Sequence, residues 1–168
     1  SYRLKKRESC SYFGFNVGPL SWKKFLFPPR LRLWQARRKG KNFEFVSEGQ
    51  QEEPKYAFLG VRACELHAME IQDKVFMKGG HVDPTYQSRR DKALIIAVNC
   101  GQAGGTCFCT SMNTGPKAVS GFDLSLTEVI QENEHYFLVE TGSETGSEIM
   151  KHIPHTNAEQ NQIDTAEN

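Results

Sequence analysis

No run of about 18 apolar residues interrupts the sequence, so nothing in it reads as a membrane-spanning helix. The residues SYRLKKRESC also lack the apolar stretch of a secretion signal, which favours a reducing, cytoplasmic setting. There is no G-x-x-x-x-G-K-[ST] loop, no G-x-G-x-x-G after a strand and no G-x-S-x-G elbow. The usual phosphate cradles and the nucleophile elbow are thereby excluded, and no catalytic residue is named. Histidine contributes little: His67 has no ligand partner at i+4, and His81, His135, His152 and His155 fall in turns or an acidic tail. Neither C-x-x-C knuckles nor a C-x-x-C-x-x-C run is present.

What the chain does have is enough apolar residue, 38% of 168 positions, to bury one core without a disulfide staple. Its net charge of +1 conceals two opposite ends. Twelve Lys or Arg and one acid lie between Arg3 and Lys41, whereas ten acids and one base lie from Ser120 onward. Most charge runs are solvated faces. The aromatics and prolines in SWKKFLFPPRLRLW nevertheless argue for a packed, subunit-facing segment over a disordered nucleic-acid tail.

Gly18-Pro19 and Pro28-Pro29 forbid a continuous helix near the start, leaving an irregular segment with one short turn capped by Ser21. Phe43 and Phe45 alternate with polar residues at the period of a strand. Tyr56 to Val61 reads as a buried strand running into a helix over residues 64–78, which Gly79-Gly80 ends. ALIIAVNC is a second buried strand. GFDLSLTEVIQENEHYFLVETG reads as two alternating strands around a polar turn, followed by a helix capped by Ser143 and ended by Pro154. The expected architecture is α/β, or α+β: a single domain over residues 1–154 with a central mixed sheet, helices packed on it, and a polar tail at 155–168 that frays.

Five cysteines are an odd number for a disulfide framework, and Cys100, Cys107 and Cys109 fall within ten residues of one another. Cys10 stands apart and is read as an ordinary buried thiol. Cys64 sits where a strand turns into a helix, whose free N–H groups favour a thiolate or cluster sulfur. Cys100 ends the second strand. In parallel sheets the carboxyl edge is where ligands bind. In an extended segment the C-x-C pair points both sulfurs to one face, and Gly101, Gly104 and Gly105 allow close backbone approach. Cys64, Cys100, Cys107 and Cys109 are thus the candidate metal ligands. Their chemistry suits either a tetrahedral metal ion or an iron–sulfur cube.

The segments GVRACELHAMEIQDKVF, DPTYQSRRDKALIIAVNC, TCFCTSMNTGPKAVSGFDLSLTE, FLVETGSETG and VGPLSWKKFLFPPRLRLW resemble the beta subunit of cytosolic sulfhydrogenases and the related A subunit of anaerobic sulfite reductase. The resemblance implies an iron–sulfur electron-transfer subunit, with a [4Fe–4S] cluster on Cys64, Cys100, Cys107 and Cys109. It also implies partner subunits, one handling flavin and nicotinamide and one reacting with hydrogen or sulfite. Members of this type carry a C-terminal ferredoxin-like region with C-x-x-C-x-x-C clusters, which these 168 residues do not include, so the isolated chain is expected to carry electrons without complete turnover. Two other readings stand beside it: a docking module whose cysteines are bare or hold zinc, and a flavin-binding subunit like those of coenzyme F420-reducing enzymes.

Overall fold

A computed structural model describes residues 8–15, 18, 21–32, 34–46, 54–131 and 134–167. The polar loop expected around residues 47–53 and the middle of the turn at 131–134 lie outside the described residues.

A four-stranded sheet in the order β3-β4-β5-β6 forms the body, built from β3 (Ala57–Val61), β4 (Leu94–Val98), β5 (Leu124–Ile130) and β6 (His135–Thr141). β3, β4 and β5 run parallel, and β6 returns antiparallel along β5 from Leu124↔Thr141 to Ile130↔His135. The expected mixed sheet is therefore present, with β3 and β4 as neighbours. Helix α2 (Ala63–Met77) leaves β3 after a single residue, Arg62, whose backbone N–H donates to Glu65 Oε2 at 3.0 Å. That reach back from the first helical turn satisfies a donor at the helix entrance.

Helix α3 (Pro84–Asp91) was not apparent from the apolar pattern, because PTYQSRRD is almost wholly polar. Its start is defined locally. Asp83 accepts from the Tyr86 N–H at 2.8 Å, and Pro84 occupies the first turn, where its missing N–H costs nothing. Tyr86 is fully buried, and its hydroxyl donates to Asp73 Oδ1 at 2.7 Å while Arg90 Nε lies 3.2 Å from Asp73 Oδ2. Asp73 thereby fastens α2 to α3.

The core lies between one face of the sheet and these helices: Phe58, Val61, Leu66, Met69, Ile95 and Ala97 meet there with Leu26 of the short α1 (Lys23–Leu26). Removing such a side chain from water contributes about 1.5–3 kcal/mol. Ser21 Oγ accepts from the Lys23 N–H at 3.2 Å, as its place before the turn suggested. Trp22 and Phe25 then stack against Phe58 and Tyr56, which anchors the basic N-terminal region to the body.

Between α1 and β3, β1 (Gln35–Lys39) and β2 (Asn42–Val46) form a separate hairpin. Gly40 turns it with φ +66°, a left-handed conformation natural to glycine. The alternation at Phe43 and Phe45 correctly marks a strand, but both rings are exposed, at 71% and 73%. The charged QARRK strand that pairs with them carries no such pattern.

Helix α4 (Glu144–Met150) has the expected cap, Ser143 Oγ accepting from Gly146 N–H at 3.0 Å. Ser143 also donates to Asp123 Oδ1 at 2.6 Å, and Asp123 Oδ2 accepts from the Ile95 N–H at 2.7 Å, so one carboxylate joins β4, β5 and α4. The tail is a correction to the sequence reading: residues 160–167 are not frayed but form helix α5 (Gln160–Glu167). The helix packs on β5 and β6 through half-buried Ile163 and Ala166, and Lys117 holds Glu167 at 3.4 Å. Its apolar side is too short to register as a period. No helix among the described residues is long and apolar enough to cross a membrane.

Gly146 is buried so closely against β5 that an added Cβ would run into the Asp123 carbonyl group. Gly146→Ala is therefore expected to lower stability by at least about 1–3 kcal/mol. Gly80→Ala, where a Cβ meets open space, should change it by less than about 0.5 kcal/mol. Thermal unfolding of the two variants checks the contrast, and equal effects would contradict it.

Candidate metal centre

Parallel pairing of β3 with β4 brings Cys64, at the start of α2, and Cys100, just beyond β4, to the same carboxyl edge of the sheet. The loop after Cys100 folds back onto this edge. Cys100 N–H donates to Pro116 O at 3.3 Å, and Asn99 fixes the ends of the loop, its Oδ1 accepting from Ala118 N–H at 2.7 Å and its Nδ2 donating to Thr127 Oγ1 at 2.8 Å. Inside the loop, Gly104 N–H donates to Cys107 Sγ at 3.2 Å. Gly115 lies where an added Cβ would stand 3.3 Å from both Ala63 Cβ and Cys109 Sγ, so the absence of a side chain lets the C-x-C segment settle against the first turn of α2.

All five cysteines are free thiols. Burial pushes the Cys64 thiol above its ordinary pKa, and nearby Glu65, Cys100 and Cys109 add to the rise. Burial likewise raises Cys100; the Arg62 charge opposes the rise, while Cys109 and Cys107 reinforce it. The four sulfurs predicted as ligands thus lie within one another's electrostatic reach. They are not drawn into a tight shell: among the described residues, no three His, Cys, Asp or Glu side chains are grouped closely enough to hold a metal ion.

Two details differ from the sequence reading. The C-x-C pair lies in a series of turns rather than a strand, so Cys107 is exposed, Cys109 is half-buried, and the same-face argument does not apply to them. Cys10 is exposed instead of buried, because residues 9–15 cross the surface of the sheet without entering the core.

That crossing segment is the feature that sequence reasoning missed. Glu128 on β5 accepts from Ser11 Oγ at 2.8 Å, Tyr12 N–H at 2.7 Å and Phe13 N–H at 2.9 Å, and pairs with His135 at 2.8 Å. Arg62 holds the same strap from the other side, Nη2 donating to Phe13 O at 2.7 Å and Phe15 O at 3.2 Å. Its Nη1 donates to Val98 O at 3.4 Å and Asn99 O at 3.2 Å, the two residues that lead into Cys100. A position two residues before Cys64 was the available signal for Arg62. For Glu128 no local signal exists, since its strap partners Ser11, Tyr12 and Phe13 are more than a hundred residues away in sequence. Beside Cys100 opens a cleft of about 700 Å³, lined in part by Asn99, Lys117, Glu128 and Glu167.

The donor set suits a sulfur-ligated centre: four thiols from two segments, the start of α2 and the β4–β5 loop, a backbone N–H on Cys107 sulfur, and a glycine cradle beside Cys109. The chain is similar to the sulfhydrogenase 2 subunit beta of Pyrococcus furiosus, 33% identical over 128 residues, which is 76% of this chain and 34% of that protein. It spans about a third of that relative's length. No family model and no solved structure matches the chain.

The strap makes stability depend on pH. Burial pushes the Glu128 carboxyl upward, but the Tyr12 and Phe13 amides, the Ser11 hydroxyl and His135 outweigh it and hold the group below its ordinary pKa. Such a group stabilises the fold above the unfolded carboxylate value, about 4.3, and loses that contribution as pH falls through the lowered folded value. Glu128→Gln should therefore lower stability at pH 7 by about 1–3 kcal/mol. The gap to wild type should close in the acid range below pH about 4. Thermal melts of both proteins across pH check this, and a gap that is constant down to strong acid would contradict it.

Proposed function

We propose that this chain is the cysteine-bearing portion of an electron-transfer subunit in an oxidoreductase of the sulfhydrogenase or anaerobic sulfite reductase type, and that Cys64, Cys100, Cys107 and Cys109 hold a [4Fe–4S] cluster. What supports the reading is the placement of Cys64 at the start of α2 and of Cys100 at the end of β4 on one carboxyl edge of parallel strands, with Cys107 and Cys109 in the loop that follows Cys100. The likeness to a sulfhydrogenase beta subunit supports the class of complex.

The cluster would supply one-electron storage. The chain's own part is to present the thiolates and limit water around them. Cys100 is half-buried at the strand end, Cys64 takes its place at the helix entrance, and Gly104 offers an N–H to sulfur. Binding entails drawing the four sulfurs closer than they stand in the free chain, which the glycines on both sides of the C-x-C pair permit. The setting is a reducing cytoplasm, where the thiols stay available.

The proposed partners are the flavin- and nicotinamide-handling subunit and the catalytic subunit of such a complex. Two exposed surfaces suit them. Phe108 and Met112 stand exposed on the cysteine loop, which would let a redox partner approach the centre. The β1–β2 hairpin presents Trp34, Phe43 and Phe45 beside Arg37, Arg38 and Lys39. That combination fits an acidic protein surface with an apolar centre, where exposed charge steers association and aromatics supply the contact. The chain alone serves as one station in a relay and performs no complete turnover.

A docking module whose cysteines are bare or hold zinc is the second reading, favoured by the exposure of Cys64 and Cys107. Metal analysis of protein prepared without oxygen separates the two. Under the cluster reading, Cys107→Ala or Cys109→Ala removes most of the bound iron and Cys10→Ala removes none. Full iron and sulfide in the Cys107→Ala, Cys109→Ala double variant would sink the assignment, and a colourless zinc-loaded preparation would favour the alternative. For the hairpin, no tight binding to a generic DNA duplex is expected at physiological salt; affinity there that falls steeply with added salt would identify a nucleic-acid surface instead.

A further inference from the structure

The Arg62 guanidinium is a buried charge without an opposite charge. The residue is 3% exposed, and among the described residues no carboxylate forms an ion pair with it. Its nearest acidic neighbour in the chain, Glu65, binds the Arg62 backbone N–H. The guanidinium itself meets four carbonyl oxygens, those of Phe13, Phe15, Val98 and Asn99, and lies 5.5 Å from the centre of the Phe15 ring. Dipoles and a ring face satisfy its donors and leave its charge unbalanced, an arrangement that is costly in a protein interior. Two of the four carbonyls immediately precede Cys100, and Arg62 itself lies two residues before Cys64.

We propose that Arg62 is the counter-charge for the anionic sulfur centre formed on Cys64 and Cys100, tuning its reduction potential as a positioning residue. The inference rests on the cluster reading above. Four thiolates around a [4Fe–4S] core give a net negative centre, and taking up one electron from a reductant makes it more negative by one charge with no bond made or broken. A fixed buried cation favours the reduced form more than the oxidised form, so it raises the potential. The carbonyls hold the cation in place, since Arg presents its donors as a rigid planar fork.

The test uses the full chain, loaded anaerobically with ferrous iron and sulfide, as wild type, Arg62→Gln, Arg62→Lys and Ser11→Ala. Iron per chain and thermal unfolding are measured first, and the midpoint potential is then read by dithionite titration. Arg62→Gln is expected to retain iron and shift to a more negative potential, while Arg62→Lys recovers most of the wild-type value. Ser11→Ala removes a hydrogen bond that holds the same strap without altering any charge and should leave the potential unchanged. Arg62→Met, which keeps the length of the stem, replaces the amide variant if that does not fold. An unchanged potential in an iron-loaded charge-neutral variant would overturn the inference, as would an equal shift in Ser11→Ala, which would make the effect one of strap packing. Wild type that binds no iron would overturn the cluster reading itself, and this inference with it.

Discussion

A single buried cation ties the candidate centre together. Arg62 stands in the one-residue junction between β3 and α2, and its guanidinium reaches out to the N-terminal strap on one side and to the last residues of β4 on the other. Three chain segments far apart in sequence are thus fixed relative to Cys64 and Cys100 by one side chain. No lysine would substitute fully, because an ammonium lacks the fork that spans four carbonyls. The strap in turn depends on Glu128, so the roof of this edge is held by one positive and one negative group that do not pair with each other.

The fold makes the rest of the site almost unavoidable. A strand that turns directly into a helix, followed by a parallel neighbour, delivers both segment ends to the same edge. The C-x-C loop must return from that edge to β5, and Asn99 pins its two ends so that it stays close. Glycine at 115 then removes the side chain that would hold Cys109 away from α2. The proposed reading of one-electron traffic to a docked partner draws on the soft thiol donors, the nearby fixed cation and the exposed Phe108.

Much of this body was legible in the sequence because the elements obey local periods. Residues 56–77, β4, and the β5–β6 pair combine apolar runs or alternation with clear stops, and Ser143 announces its helix by its position. What escaped was held by distant or polar contacts. Helix α3 is set by Asp83 and Pro84 at one end and by Tyr86 packing beneath Asp73, none of which has an apolar period. Helix α5 needs the sheet it leans on, and β1 is a charged strand defined only by its partner. At the site, the spacing of Cys100, Cys107 and Cys109 and the strand-to-helix junction at Cys64 flagged candidate ligands, and the adjacency of β3 and β4 brings Cys64 and Cys100 to one edge. For Arg62 the sequence offered only its place two residues before Cys64, since nothing local reveals that its guanidinium reaches Phe13 and Phe15.

The account's central claim is that these four cysteines hold an iron–sulfur centre. Its most direct test is the iron and acid-labile sulfide content of the wild-type chain purified without oxygen, together with its visible absorption. The account predicts a brown protein with about four iron and four sulfide per chain. A colourless protein with neither iron nor sulfide after anaerobic reconstitution would contradict it.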